Sequence, residues 1–146
     1  MDKNLILIAL SESPQVEFSD QSLPRRVFSA IWALESEVNN GGFSLYYFNY
    51  SSETASFVVE ALETVGAMKA ADICRRANEV AFPDGLPKTP EEFRSAASGF
   101  SEEVESALDA LDREFYGYPD PLTDLLFAYV VKHPEEFGTI AEPENG

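Results

Sequence analysis

Apolar residues recur at steps of three and four along most of this chain, and no segment shows sustained strict alternation bounded by hairpin turns. The first pattern lines one face of an α-helix, whereas a half-buried strand needs the second, so the chain is read as all-α. Val27, Phe28, Ile31, Trp32, Leu34 and Val38 carry the pattern, and with Ser22 as cap and Pro24 in the first turn they predict a helix over Pro24 to Asn39.

The remaining segments follow from their caps and stops. Phe57, Val58, Ala61, Leu62 and Val65 line a helix opened by Ser51 or Ser52 and ended by Gly66 in the left-handed conformation. Another spans Met68 to Phe82, and the turn-rich FPDGLPK breaks the chain after it. Thr89, Pro90 and Glu92 read as a capping box for a short helix to Ala97. Ser101 caps the next, with Val104, Leu108, Leu111 and Phe115 inward, and YGYPDP stops it. Leu122, Leu125, Leu126, Tyr129 and Val130 line a last long helix that ends before Pro134. LILIAL, Leu5 to Leu10, fits a buried helix or a buried strand by period alone and is taken as helix. The sum is a compact domain of about six to eight helices.

A chain of 146 residues can bury one core, and the break at Pro83 to Lys88 is too short for a flexible linker, so 1–146 is read as a single domain. Its one cysteine, Cys74, falls inside a helical run; it can form no internal disulfide and is read as a small core residue in a reducing cytoplasm. LILIAL is too short to span a bilayer and lacks the flanks of a signal peptide, so no membrane segment is expected.

Charge excludes more than it assigns. With 26 acids against 10 bases the net charge is -16, which repels nucleic acid directly and attracts basic protein surfaces. The excess is C-terminal: from Ser98 onward there are twelve acids, Glu142 and Glu144 among them, against Arg113 and Lys132. Glu102, Glu105, Asp109 and Asp112 fall at steps of three, four and three, which sets them along one stripe of a helix, opposite or beside the inward stripe. Such a stripe either keeps the chain soluble or presents carboxylates to a basic partner; Asp120, Asp124, Glu135 and Glu136 extend the same acidic half.

Few residues suit catalysis. The only histidine, His133, precedes Pro134 at a helix end, where it interacts with terminal carbonyls, and without a second histidine or cysteine the usual zinc sets cannot form. No calcium-loop sequence is present, and no cofactor or metal is expected. Gly41 and Gly42 follow Asn40 in EVNNGGFSLYYFN, but no lysine or arginine lies between Arg26 and Lys69 to share a phosphate charge. The pair is therefore read as a turn: Asn39 or Asn40 ends the long helix, both glycines take positive φ, and Phe43, Tyr46, Tyr47 and Phe48 enter the core as a short helix.

That stretch, with EALETVGAMKAADICRRANEVAF after it, resembles the helical, largely uncharacterised bacterial domain family that includes an acidic DNA-mimic protein, over about Ser29 to Phe137. Asn40, Gly41, Gly42 and Phe43 carry the resemblance most specifically. It implies an all-α fold, no known catalysis, and in the acidic member a homodimer whose carboxylates occupy the DNA site of a transcription factor. One position departs: Leu45 stands where such sequences often have a polar residue, commonly glutamine. The leading expectation is a non-enzymatic acidic protein that binds the DNA-binding face of a basic protein. The alternatives are an immunity-type inhibitor of a basic nuclease toxin and an enzyme using carboxylates near Asn39 to Phe43.

Overall fold

The structure, a computed structural model, describes residues 2–12 and 16–140. Eight α-helices and two 3-10 turns, with no strand, make up these residues: α1 (Lys3–Ser11), α2 (Leu23–Phe48), α3 (Ala55–Val65), α4 (Met68–Ala81), α5 (Pro90–Ser98), α6 (Glu102–Tyr116), α7 (Leu122–Val131) and α8 (Pro134–Phe137). The 3-10 turns are Phe18–Asp20 before α2 and Tyr50–Thr54 after it.

α2 is the axis of the domain. It packs against α3, α5 and α6, while α4 lies across α3 and α6, and α1 covers α7. Of the inward residues read from the sequence, Val27, Phe28, Ile31, Leu34 and Val38 from α2 and Phe57, Val58, Ala61, Leu62 and Val65 from α3 are buried, while Trp32 is only partly so and packs against the core. Each large apolar side chain so enclosed contributes about 1.5–3 kcal/mol, so a periodic face of this length holds the helix without help from propensity.

The ends obey the caps. Ser22 accepts from the Arg25 N–H, Ser101 from Val104 and Thr89 from Glu92. The return half of the box at Thr89 reaches one residue further back, since Glu92 Oε2 accepts from the Lys88 N–H at 3.1 Å. Gly66 closes α3 at φ 89°, and the Ala67 N–H returns to the Leu62 carbonyl at 2.8 Å. LILIAL is helical, with Asp2 accepting from the Asn4 and Leu5 N–H groups. The expected stop near Asn39 and the short helix after it are both present, for helical geometry breaks off at Gly41 and Gly42 and resumes to Phe48, the two stretches together making up α2. The short α8 after His133 was not foreseen as a separate element.

The second half of α2 builds an aromatic centre. Tyr47 meets Phe82 edge-on at 5.0 Å and lies parallel to Phe93 at 6.2 Å, and Phe43 meets Phe115 edge-on at 6.2 Å. Both tyrosine hydroxyls are satisfied at 2.6 Å, Tyr46 with Thr54 Oγ1 and Tyr47 donating to Asn78 Oδ1. Phe48, expected in the core, is 38% exposed. The guanidinium of Arg94 lies 4.6 Å from its ring, and Arg94 Nε donates to the Phe48 carbonyl.

Candidate functional site

The acids of α6 meet α2 at its break. Gly42 has φ 76°, while Gly41 at φ −160° is extended, so only one of the two glycines takes the positive φ expected of both. A break in a helix cuts hydrogen bonds on both sides, leaving N–H donors ahead of the second half and carbonyl acceptors behind the first. α6 serves both. Asp112 Oδ1 accepts from the Phe43 N–H at 2.8 Å, and Tyr116, one turn on, donates its hydroxyl to the Val38 carbonyl at 2.7 Å.

Glycine at 42 is required twice over. A Cβ built there collides with Asp112 Oδ2 and comes within 2.8 Å of its Cγ, so any side chain would displace the carboxylate as well as strain the backbone. At Gly41 the obstacle is steric alone, since a Cβ would come within 2.9 Å of Leu45 Cβ.

The stripe read from the sequence therefore divides. Glu102 and Asp109 are exposed, with Glu103 beside them. Glu105 is half-buried and accepts from Ser44 Oγ at 2.9 Å, and Asp112 is half-buried against Phe43. The stripe lies beside the buried face rather than opposite it, which is why the free donors of α2 capture two of its members. Burial pushes the Asp112 carboxyl above its ordinary range, the Phe43 N–H opposes this, and Asp109 and Glu105 add to the rise.

The other acids sit apart. Asp120 is half-buried and accepts from the Ala70 N–H at 2.8 Å, in the first turn of α4. Asp124 is exposed and pairs with Lys3 at 3.0 Å. Glu135 is exposed; Glu136 is half-buried, and its backbone carbonyl accepts from Arg25. Glu142 and Glu144 lie outside the described residues.

Three residues near the break escaped the sequence reading. Tyr118 has φ 46°, a left-handed conformation rare for tyrosine. It accepts from Asn39 Nδ2 at 2.7 Å and donates to Glu35 Oε1 at 3.1 Å, and burial raises the Glu35 carboxyl's affinity for its proton. Tyr116 and Tyr118 belong to YGYPDP, whose only legible signal was a helix stop.

Chemistry elsewhere is sparse. Cys74 is buried and its thiol is pushed well up, which suits a core residue. A ring nitrogen of His133 lies 2.8 Å from the Tyr129 carbonyl at the end of α7. Among the described residues no group of three or more potential ligands is placed to hold a metal ion, and no helix is long and apolar enough to cross a membrane. Cavities of about 520 and about 440 Å³ flank the N-terminal half of α2 around Ser29 and Ala33, away from Asn39 to Phe43.

A family model described as DMP19-like protein matches residues 19–133. The chain belongs to the DMP19-like protein family. No curated protein and no solved structure matches it. The DMP19-like match begins earlier than the resemblance at about Ser29 and ends just short of Phe137. It takes in the whole of α2 through α7, and so both the break and the α6 acids, while Glu135 and Glu136 fall beyond it.

Proposed function

We propose that this protein is a non-enzymatic DNA mimic of the cytoplasm, whose carboxylates occupy the DNA-binding surface of a basic protein such as a transcription factor. Membership in the DMP19-like family supports the reading, and the charge of α6 gives it a physical basis. Glu102, Glu103, Glu105, Asp109 and Asp112 lie within eleven residues, ten steps or about 15 Å of helix. That is one carboxylate per about 3–4 Å, close to the charge spacing along one strand of B-DNA at about 3.4 Å.

The observation that carries most weight is that, among the described residues, no ion pair reaches any of these five acids. Elsewhere the surface does pair its charges: Arg76 binds both Asp72 and Glu114, at 2.9 and 2.7 Å. A net charge of -16 steers a basic partner from a distance, and the effect fades as salt shortens the Debye length.

Capture from native lysate at low salt, elution with salt and mass spectrometry would identify the partner. The protein should then displace labelled duplex from it, less so as salt rises. A partner with no affinity for nucleic acid, or duplex and protein bound together without competition, would overturn the reading. A second copy of the chain is part of the same proposal, and a monomeric mass by light scattering would remove that part.

A further inference from the structure

The larger of the two cavities beside α2, about 520 Å³, has no residue of α6 in its lining and takes no part in the proposed mimicry. Its size falls in the range of small-molecule sites, about 300–1,000 Å³. Leu10 from α1 and Phe28 and Trp32 from α2 give it an apolar wall, with Trp32 lying parallel to Phe28 at 5.7 Å. Three charged residues join the lining: Arg25 from α2, Asp20 from the turn before it and Glu136 from α8.

These charges do not cancel one another. Among the described residues no ion pair reaches Arg25, Asp20 or Glu136, although Lys3, Arg75 and Arg76 all find carboxylates elsewhere on the surface. The Arg25 guanidinium is held by neutral groups instead. Its Nη2 donates to the Glu136 backbone carbonyl at 2.8 Å, and its Cζ lies 4.7 Å from the centre of the Phe137 ring. That fixes the group beside the cavity and leaves its other N–H donors without a partner among the described residues.

We propose that this cavity binds a free α-amino acid with an aromatic side chain. A simple anion suits Arg25 but meets Asp20 and Glu136, and a simple cation meets the reverse. A zwitterion whose ammonium and carboxylate flank one carbon answers both signs in a small volume. Its ring removes apolar surface from water against Trp32 and Phe28. In a longer peptide the two terminal charges lie apart, so the free amino acid is the better match. The site stands or falls without the DNA-mimic reading.

Trp32 is the only tryptophan in the chain, so its fluorescence reports on the cavity wall directly. Titration of the full chain with L-phenylalanine, phenylpropionate, phenethylamine and glycine, followed by that fluorescence and by calorimetry, separates the ring from each charge. L-phenylalanine should bind about tenfold more tightly than phenylpropionate or phenethylamine, the order expected when one charge-assisted contact is lost. Glycine should leave Trp32 unchanged. Arg25→Gln should reduce L-phenylalanine to the level of phenethylamine, and Asp20→Asn with Glu136→Gln to the level of phenylpropionate. Neither acid's side chain makes a described hydrogen bond or ion pair, so this second variant keeps its fold, and its melting temperature checks that, even where Arg25→Gln does not. Equal affinity for L-phenylalanine and either singly charged analogue would overturn the proposal. So would no response to L-phenylalanine at millimolar concentration, or undiminished binding in the variant lacking both acids.

Discussion

Asp112 and Tyr116 stand four residues apart on one face of α6 and hold opposite sides of the same break: the carboxylate accepts from the Phe43 N–H and the phenol donates to the Val38 carbonyl. Two side chains at helical spacing thus replace backbone bonds that Gly41 and Gly42 remove. Removing the Tyr116 hydroxyl with phenylalanine should lower stability by about 1 kcal/mol, the net worth of a hydrogen bond whose partner is left without one. Thermal unfolding followed by circular dichroism would show it. No change in melting temperature would mean that water serves the Val38 carbonyl equally well.

Two glycines with positive φ separate backbone strain from crowding. Gly66 at φ 89° has nothing within 4 Å of a would-be Cβ, so Gly66→Ala should cost only the left-handed conformation, about 1 kcal/mol. Gly42→Ala adds the collision with Asp112 and should be clearly worse, and Asp112→Ala should recover part of the loss in the double variant. Equal effects of the two glycine changes in denaturant titrations would remove the close approach of Asp112 from the account.

Acidification should at first stabilise the fold. Burial raises Glu35, Asp112 and Glu53, each above its ordinary value of 4.5, 3.8 or 4.5, with Glu17 adding to the rise at Glu53. The folded chain therefore binds more protons than the unfolded one between those ordinary values and the raised ones, and stability grows as pH falls through that window. Glu114, lowered by Arg76, acts oppositely: its contribution is present above 4.5 and disappears as pH falls further. Scanning calorimetry at fixed ionic strength should give a higher melting temperature at about pH 5 than at about pH 7.5. A monotonic fall on acidification would contradict these directions.

The helical faces were legible because burial follows period: Val27 to Val38 and Phe57 to Val65 could be sorted inward from spacing alone. The caps at Ser22, Thr89 and Ser101 and the stop at Gly66 were legible because each satisfies its own helix end locally. The division of the α6 stripe was not. Whether Glu105 and Asp112 face solvent depends on where the free N–H groups of a helix some 70 residues earlier come to lie, and no local pattern encodes that. Phe48 was misplaced for a related reason, since its cover is Arg94, a surface side chain from another helix.

The same division yields the sharpest functional test. If α6 stands in for phosphates, its exposed members, Glu102, Glu103 and Asp109, should dominate the encounter with a basic partner, while Glu105 and Asp112 are held by Ser44 and Phe43. Changing the exposed three to Gln, Gln and Asn should leave melting temperature unchanged or slightly raised, because like-charge pairs are relieved. It should also slow association with the captured partner, and the slowing should shrink as salt rises. Glu105→Gln with Asp112→Asn removes two charges against three, from groups turned toward α2, so per charge removed it should alter stability more and association less. Stopped-flow association rates at two salt concentrations, beside thermal unfolding of both variants, would decide between them. Slower association for the inner pair than for the exposed three would place the partner over the α2 break instead of along the outer face of α6.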